Sequence, residues 1–341
     1  MAHLHKIHMW PLWIAGVLGQ AKSFRANPVL GSPALNMLGL HVARLLLAHG
    51  VMGLRWAMLR PLMPAGQRRA FHRDGYVALP GFLSADEVAA IRAELPDLDG
   101  TPRQMVQGDT LTQRILLDRT ATRTTPRLRT LLSSRRFLGG LCYAAGKWHR
   151  PVFYVQRIRN GARTGGRDPQ KTLHSDTFHP SMKAWLFLED VDAAKGPFTY
   201  VPGSHRLTAK RLKWEYGISR RAARLKDGYS EKGSLRADAA DLRALDLPPP
   251  QALTARAGTL VIANTHGFHG RGQAEDGASR LEIWAYGRHN PFLPLPGFGL
   301  MALGRLEDAV LQRYWRYKDR QAAKRGGRAT WHPIEQGDMF G

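Results

Sequence analysis

His174 and Asp176 stand two residues apart in the stretch KTLHSDTFHPSMKAWLFLED, residues 171–190, which is otherwise apolar and strand-like. Side chains at positions i and i+2 of a strand point to the same face, so this imidazole and this carboxylate are expected to be neighbours. With a second histidine from elsewhere in the chain, they would form the two-histidine, one-carboxylate triad that holds Fe(II) and leaves coordination positions open. The spacing therefore predicts a metal site.

The third ligand is sought downstream, in the run AGTLVIANTHGFHG at residues 257–270. This run predicts a buried strand and a turn, after which either His266 or His269 could complete the triad. Arg280 opens the next predicted strand, and an arginine inside a β-barrel needs an anionic partner, such as a carboxylate of a dicarboxylate cosubstrate. The alternative is an exposed strand arginine. The other His-x-Asp motif, at His72, lacks such context and is interpreted as a surface or helix-end feature.

Composition narrows the class of protein. The chain has 341 residues, 43% of them apolar, which is ample for a packed core. Cys142 is the single cysteine, which excludes an internal disulfide and a cysteine-based metal centre and fits a cytoplasmic location. The net charge of +23 favours anionic partners. Because no recognition helix, zinc finger or RNA-binding motif is evident, nucleic acid is not expected, and an anionic membrane surface is favoured.

The N-terminal segment, residues 1–66, contains no acidic residue, and its apolar residues recur at near-helical spacing around Lys22, Arg44 and Arg55. Such helices could lie on the inner face of an anionic membrane with their basic side chains at the headgroups. Equally, their apolar faces could pack on the rest of the protein. No run reaches the roughly 20 apolar residues that span a bilayer, so the membrane hypothesis is one of peripheral association.

Residues 67–295 have the pattern of a β-rich domain. Its start predicts a strand over 76–79 and then a helix with a capping box at Ser84 and Glu87. After Pro151, short apolar runs alternate with Gly, Pro and Asn, which is typical of a jelly roll.

Two basic regions complete the predicted division of the chain. An insertion at about 206–250 interrupts the β pattern. We interpret it as a solvated helical flap, with a lid over the site as the alternative. Residues 296–341 predict a basic helical tail.

Several stretches, in this order, resemble the phytanoyl-CoA dioxygenase family of Fe(II)- and 2-oxoglutarate-dependent oxygenases: FHRDGYVALPGFLSADEVAAIRAEL, HSD, AWLFLEDVDAAKGPFTYVPGSHR, and AGTLVIANTHGFHG followed by Arg280. The resemblance runs from about Phe71 to Tyr286. It implies a mainly β fold with flanking helices, the double-stranded β-helix or cupin-like jelly roll. It also implies Fe(II), 2-oxoglutarate and O₂ as cofactors, and hydroxylation of a substrate with release of succinate and CO₂.

By position, the resemblance implies three iron ligands, one cosubstrate-binding arginine and two residues that line the cosubstrate pocket: His174, Asp176 and His269; Arg280; and Trp185 and Gln156. His269 rather than His266 stands at the family spacing after Gly258. Without the resemblance, Trp185 would be interpreted as a core residue. Asp176 argues against the halogenating relatives, which need a vacant coordination position at this point.

One position departs from the family pattern. Arg271 stands where the family commonly has a serine that helps to hold the cosubstrate, so it is expected to replace that serine, to point to the substrate or to face solvent. For the substrate, the basic N-terminal segment suggests a lipid-like or membrane-derived molecule. The alternatives are a soluble metabolite or natural-product intermediate, a catalytically silent binding or scaffold protein, and a zinc hydrolase, which Arg280 argues against.

Overall fold

A computed structural model of the protein describes residues 8–161, 166, 168–301 and 303–340. Eleven helices are found in this part of the chain: α1 Trp10–Val17, α2 Pro33–Met37, α3 Leu40–Met58, α4 Ala65–Asp74, α5 Ala85–Glu94, α6 Pro126–Ser133, α7 Arg135–Ala145, α8 Ala209–Ser219, α9 Ala239–Ala244, α10 Leu303–Ala323 and α11 Gly337–Phe340. The same part contains eleven strands: β1 Tyr76–Leu79, β2 Arg103–Gln107, β3 Thr110–Leu116, β4 Val152–Asn160, β5 Met182–Phe187, β6 Phe198–Tyr200, β7 Gln251–Leu253, β8 Leu260–Asn264, β9 His269–Arg271, β10 Ser279–Gly287 and β11 His332–Pro333.

The strands form two sheets. The larger has the order β1-β8-β5-β10-β4-β3-β2-β11, and the smaller has the order β7-β6-β9. The backbone of His174 pairs with that of His269 in β9 and so extends the smaller sheet. From β4 onwards the chain passes repeatedly between the two sheets, which is the topology of a jelly roll. The predicted fold, a jelly roll with flanking helices, is confirmed.

Strand β10 shows how the larger sheet separates two environments. Leu281, Ile283 and Ala285 point to the face that packs with helix residues in the main hydrophobic core. Trp284 points the other way and packs in a second core with Trp185 of β5, its partner in the strand register. Because side chains alternate along a strand, Arg280 and Glu282 share the face of Trp284, inside the jelly roll.

The start of the β-rich domain folds as predicted. Strand β1 spans Tyr76–Leu79 and pairs with β8. Ser84 caps α5: its hydroxyl accepts from the backbone N–H of Glu87 at 3.2 Å, and the Glu87 carboxylate accepts from the backbone N–H of Ser84 at 2.7 Å. This reciprocal pair satisfies two backbone donors at the helix start.

Helix α3 is oriented opposite to the predicted membrane helix, because its basic side chains face the protein. Arg44 and Arg55 are buried. The Arg44 guanidinium donates to the carbonyl oxygens of Val17 at 2.7 Å and Ala21 at 2.8 Å. The opposite face is apolar and exposed, with Leu47 and others uncovered. The prediction that these arginines meet lipid headgroups is therefore wrong.

The other N-terminal helices also expose large apolar side chains. The exposed large apolar side chains of α1, α2, α3 and their flanking turns are Trp10, Leu12, Ile14, Leu18, Leu35, Met37, Leu38, Leu46, Leu47, Leu54 and Met58. We call this set the N-terminal apolar face. No helix among the described residues is long and apolar enough to cross a bilayer.

The 206–250 insertion is tied to the jelly roll at two places. In α8, Arg211 and Glu215 are buried against the protein. Further on, the backbone N–H of Ser175 donates to the carbonyl of Leu235 at 2.9 Å, and Arg236 pairs with His174. A freely solvated flap is therefore wrong for these residues. The division at 66 and 295 stays a prediction, and residues 1–7, 302 and 341 lie outside the described part.

Candidate metal and cosubstrate site

The structure brings His174, Asp176 and His269 together. One candidate ligand atom from each of them lies within 4.8 Å of the others, and all three residues are buried. Nε2 of His174 is 3.8 Å from Oδ1 of Asp176, and Nε2 of His269 is 3.7 Å from Oδ2. Asp176 and His174 project from one segment and His269 from β9 beside it, so the pairing of the two segments sets the geometry.

Backbone carbonyls orient both imidazoles. Nδ1 of His174 donates to the carbonyl of Thr172 at 2.8 Å, and Nδ1 of His269 donates to the carbonyl of Gly267 at 2.9 Å. The Nε2 lone pairs are thereby directed to the centre of the triad, where Nε2 of His269 is buried without a hydrogen-bond partner. Donation of the second ring nitrogen to a carbonyl is typical of metal-binding histidines, so the residues fit a metal ion.

Electrostatics keep the three groups in the forms that ligate metals. Burial lowers the pKa of His269 to about 4, which leaves the imidazole neutral near pH 7. Burial alone would raise the pKa of Asp176, but the Lys183 ammonium and then the two histidines hold it well below its usual range. Nζ of Lys183 lies 2.7 Å from Oδ2 of Asp176. The site therefore presents two neutral imidazoles and one ionised carboxylate.

His266, the alternative third ligand, lies outside the triad. Its Nδ1 donates to the carbonyl of Thr177 at 3.0 Å, and its ring contacts that of His49 at 4.6 Å between centroids. His72 lies exposed in the last turn of α4, as predicted, and its Nε2 lies 2.6 Å from the Tyr143 hydroxyl.

A cavity of about 260 Å³ opens beside the triad inside the jelly roll. Its walls include the predicted pocket residues Arg280, Trp185 and Gln156, together with His174 and His269. Trp185 is both a core residue and a wall of the cavity, since its ring stacks on Phe198 at 4.1 Å between centroids. The structure thus brings all six predicted site residues to one place.

Arg280 is buried and has a carboxylate partner within the protein. Its Nε lies 3.2 Å from Oε2 of Glu282, which is completely buried, and one terminal nitrogen donates to the carbonyl of Gly196. Gln156 donates to the other carboxylate oxygen of Glu282 and accepts from Nε of Arg114 at 2.5 Å. The exposed-strand alternative for Arg280 is therefore wrong. The guanidinium is held in place by a chain of polar contacts.

Arg271 lines the same cavity and is paired with Asp168. Nη1 of Arg271 lies 2.7 Å from Oδ2 of Asp168, which is fully buried. Burial lowers the pKa of Arg271 to about 10. The solvent-facing alternative is wrong, and the ion pair accounts for a cation where the family commonly has serine.

Sequence reasoning missed two groups that face the site from predicted strands. Lys183 lies two residues before Trp185 in β5, and Glu282 lies two residues after Arg280 in β10. The period of two along a strand puts each on the same face as its predicted neighbour, so this signal was available. Arg114 of β3 was also missed; its guanidinium lies over the Trp284 ring at 4.2 Å.

Comparison with known proteins agrees with this geometry. The sequence profile of the phytanoyl-CoA dioxygenase (PhyH) family matches residues 71–280, which is more than half of the chain. The protein belongs to the phytanoyl-CoA dioxygenase family. The family predicted from the sequence motifs is therefore confirmed.

Individual relatives are more distant. The chain is 30% identical over 161 residues to ectoine dioxygenase of Bordetella parapertussis, covering 42% of this chain and 50% of that one. It is 29% identical over 157 residues to ectoine dioxygenase of Stutzerimonas stutzeri, covering 40% of this chain and 48% of that one. The chain thus spans about half the length of the curated relatives it matches.

Solved structures give weaker similarities. HygX from Streptomyces hygroscopicus with nickel and 2-oxoglutarate bound is 21% identical with a TM-score of 0.40, over 66% of this chain and 87% of that one. The epimerase SnoN in complex with Fe³⁺, alpha ketoglutarate and nogalamycin RO is 22% identical with a TM-score of 0.44, over 67% of this chain and 88% of that one.

Proposed function

We propose that the protein is an Fe(II)- and 2-oxoglutarate-dependent dioxygenase that hydroxylates a small-molecule substrate and releases succinate and CO₂. The observation that carries the proposal is the buried triad of His174, Asp176 and His269, whose imidazoles are fixed by carbonyls with their Nε2 atoms directed inwards. Iron bound there would supply the O₂ chemistry, with three coordination positions left for cosubstrate and O₂.

The protein residues around the triad would bind and orient the cosubstrate. Arg280 would take the distal carboxylate of 2-oxoglutarate, and its contacts with Glu282 and the carbonyl of Gly196 support this role because they fix the guanidinium. A guanidinium recognises a carboxylate through two parallel hydrogen bonds, which is stronger and more directional than an ammonium contact. Trp185 forms an apolar wall that excludes water from the cavity.

Succinate formation tests this proposal. The protein, supplied anaerobically with Fe(II) and 2-oxoglutarate and then exposed to O₂, is expected to form succinate, slowly without substrate and faster with it. His174→Ala and Asp176→Ala should abolish the reaction, whereas His266→Ala should retain it in proportion to its folded fraction. Full succinate formation by both ligand variants would contradict the proposal, and a silent scaffold predicts no succinate from the unmodified chain.

For the substrate, we propose a lipid-like or membrane-derived molecule met at the inner face of a membrane by a peripherally bound, cytoplasmic protein. The N-terminal apolar face supports this, because its eleven exposed large apolar side chains are of the kind that contact membranes or protein partners. The alternative, a soluble metabolite or natural-product intermediate, is supported by the named activity of the ectoine dioxygenase relatives.

A vesicle-binding experiment distinguishes a membrane-derived substrate from a soluble one. Leu47→Gln combined with Leu54→Gln should reduce sedimentation of the protein with phosphatidylglycerol-containing vesicles, because it removes two large apolar side chains from the N-terminal apolar face. Leu306→Gln, at an exposed apolar position of α10, is the matched control. Absence of vesicle binding by the unmodified protein, or equal binding by the double variant, would favour the soluble substrate.

A further inference from the structure

Two lysines from distant parts of the chain contact Asp176, and an arginine lies near one of them. Lys22, which lies between α1 and α2, donates from Nζ to the backbone carbonyl of Asp176. Lys183 of β5 contacts the Asp176 carboxylate. Arg288 follows directly after β10, and its guanidinium carbon lies 5.1 Å from the centroid of the Tyr286 ring, which belongs to the residue paired with Lys183 in the strand register. We call Lys22, Lys183 and Arg288 the cationic cluster.

The cationic cluster is poorly neutralised. Among the residues that the structure describes, neither Lys22 nor Arg288 forms an ion pair within 4.0 Å. Nε of Arg288 is buried without a hydrogen-bond partner. Lys183 has Asp176 as its ion-pair partner, and that carboxylate is also the one that iron would take. Placing several cations around one carboxylate is unfavourable unless a further anion joins them.

Two members of the cluster come from outside the family-matched region. Lys22 precedes residue 71 and Arg288 follows residue 280, the limits of the family match. Lys22 is held there by the insertion, because its backbone packs so closely on Gly233 that a side chain at that position would collide with it. Residues outside the family-matched segment thus contribute charge near the metal site, as expected for residues that determine specificity.

We infer that Lys22, Lys183 and Arg288 bind an oxyanion group of the substrate, a phosphate or a carboxylate, beside the metal. This inference rests on the proposed function, since it assigns the group to the substrate of that site. Lys22 and Arg288 are partly exposed, so the group can reach them from solvent. A guanidinium and ammonium groups together supply convergent donors and the net positive charge that such an oxyanion requires.

Isothermal titration of the metal-free protein with inorganic phosphate, and separately with acetate, tests the inference. Lys22→Gln and Arg288→Gln should each weaken binding about ten- to hundredfold, as expected for loss of a charged hydrogen bond. Arg25→Gln removes an exposed cation three residues from Lys22 and should leave binding unchanged. Lys22→Arg should retain most of it. Melting temperatures of all variants identify any loss of folding.

Each outcome decides for or against the oxyanion site. Binding of either anion that both Gln variants weaken, and Arg25→Gln does not, supports it, and the better ligand tells phosphate from carboxylate. Absence of binding, or equal binding by all folded variants, overturns it. If the protein binds the anion as expected but does not bind Fe(II) and 2-oxoglutarate, the proposed function alone is refuted. If it binds Fe(II) and 2-oxoglutarate but not the anion, the oxyanion site alone is refuted.

Discussion

The charged groups at the contact between α3 and α8 are fully paired within the protein, whereas those around Asp176 are not. At the helix contact, Glu215 accepts two hydrogen bonds from Arg211, at 3.1 and 2.9 Å. Its other oxygen lies 2.8 Å from Nε2 of His41. Arg211 also donates to the carbonyl of Ser204 at 2.9 Å. Every oxygen of this carboxylate therefore has a donor within the protein.

Around Asp176 the balance is reversed, because Lys183 pairs with the carboxylate, Lys22 reaches the backbone carbonyl, and Nε of Arg288 has no hydrogen-bond partner. A buried charge that is fully paired needs nothing else, so the helix contact is structural. Partly buried cations with incomplete partners, such as Lys22 and Arg288, are expected where a ligand supplies the missing charge. The difference separates charges that hold the fold together from charges that serve the site.

The largest effect on stability is expected from a substitution that breaks the ion pair of Glu215 with Arg211. Glu215→Gln leaves Arg211 buried without a full counter-charge, so the free energy of unfolding should fall by about 3–5 kcal/mol. Urea denaturation near pH 7 measures it. A loss below about 1 kcal/mol would show that the two regions do not differ in this way.

The Glu215 carboxylate should also make the free energy of unfolding depend on pH. Burial alone would raise the pKa of Glu215, but the charge of Arg211 and the hydrogen bond from His41 lower it from 4.5 to about 2. A lowered acid pKa stabilises the fold above the unfolded value and ceases to do so as pH falls through the folded value. The stability advantage of the unmodified protein over Glu215→Gln should therefore shrink between about pH 4.5 and 2. A constant difference in urea midpoint over that range would contradict the assigned pKa.

A smaller effect, on the affinity for 2-oxoglutarate, is expected from a substitution in the cavity beside the metal triad. Arg280→Gln should weaken 2-oxoglutarate binding to the Fe(II)-loaded protein about ten- to hundredfold, since a charged hydrogen bond to the carboxylate is lost. Anaerobic titration calorimetry measures the affinity. Arg256→Gln, at an exposed position, is the control. Equal affinity in Arg280→Gln would assign the cosubstrate carboxylate to another cation of the cavity.

The smallest effect should come from an exposed ion pair. Lys210 and Asp246 pair at the surface with 54% and 69% of their side chains exposed. Asp246→Asn should change the free energy of unfolding by no more than about 0.5 kcal/mol, because solvent screens such pairs. Asn also tolerates the positive φ of 51° at this position. If Asp246→Asn lowered the free energy of unfolding as much as Glu215→Gln, burial would not determine how much stability is lost when an ion pair is broken.

The sequence predicted those parts of the molecule that follow a local period. Alternation in β1 and the capping box of Ser84 and Glu87 are short-range patterns, and each has its expected form. His174 and Asp176 do meet at one site, but the strand-like setting predicted for them is wrong: β5 begins at Met182, and His174 lies in isolated bridges outside the strands. His269 needed the family spacing, because the residues alone left His266 equally open.

Long-range charge placement could not be predicted in this way. Nothing local to Lys22 indicates that its side chain reaches Asp176, since this depends on how the segment between α1 and α2 packs against the insertion at Gly233. Likewise, Arg44 and Arg55 read as outward-facing basic residues, but the backbone carbonyls and rings that cover them come from other elements.

Anaerobic titration of the metal-free protein with Fe(II) in the presence of 2-oxoglutarate is the most direct test of the central claim, that His174, Asp176 and His269 form an iron site. The charge-transfer absorption of the iron–2-oxoglutarate complex should grow to saturation at one Fe(II) per chain, because one such triad is present among the described residues. Asp176→Ala should show no such saturation. Tight, stoichiometric binding that Asp176→Ala leaves unchanged would contradict the claim.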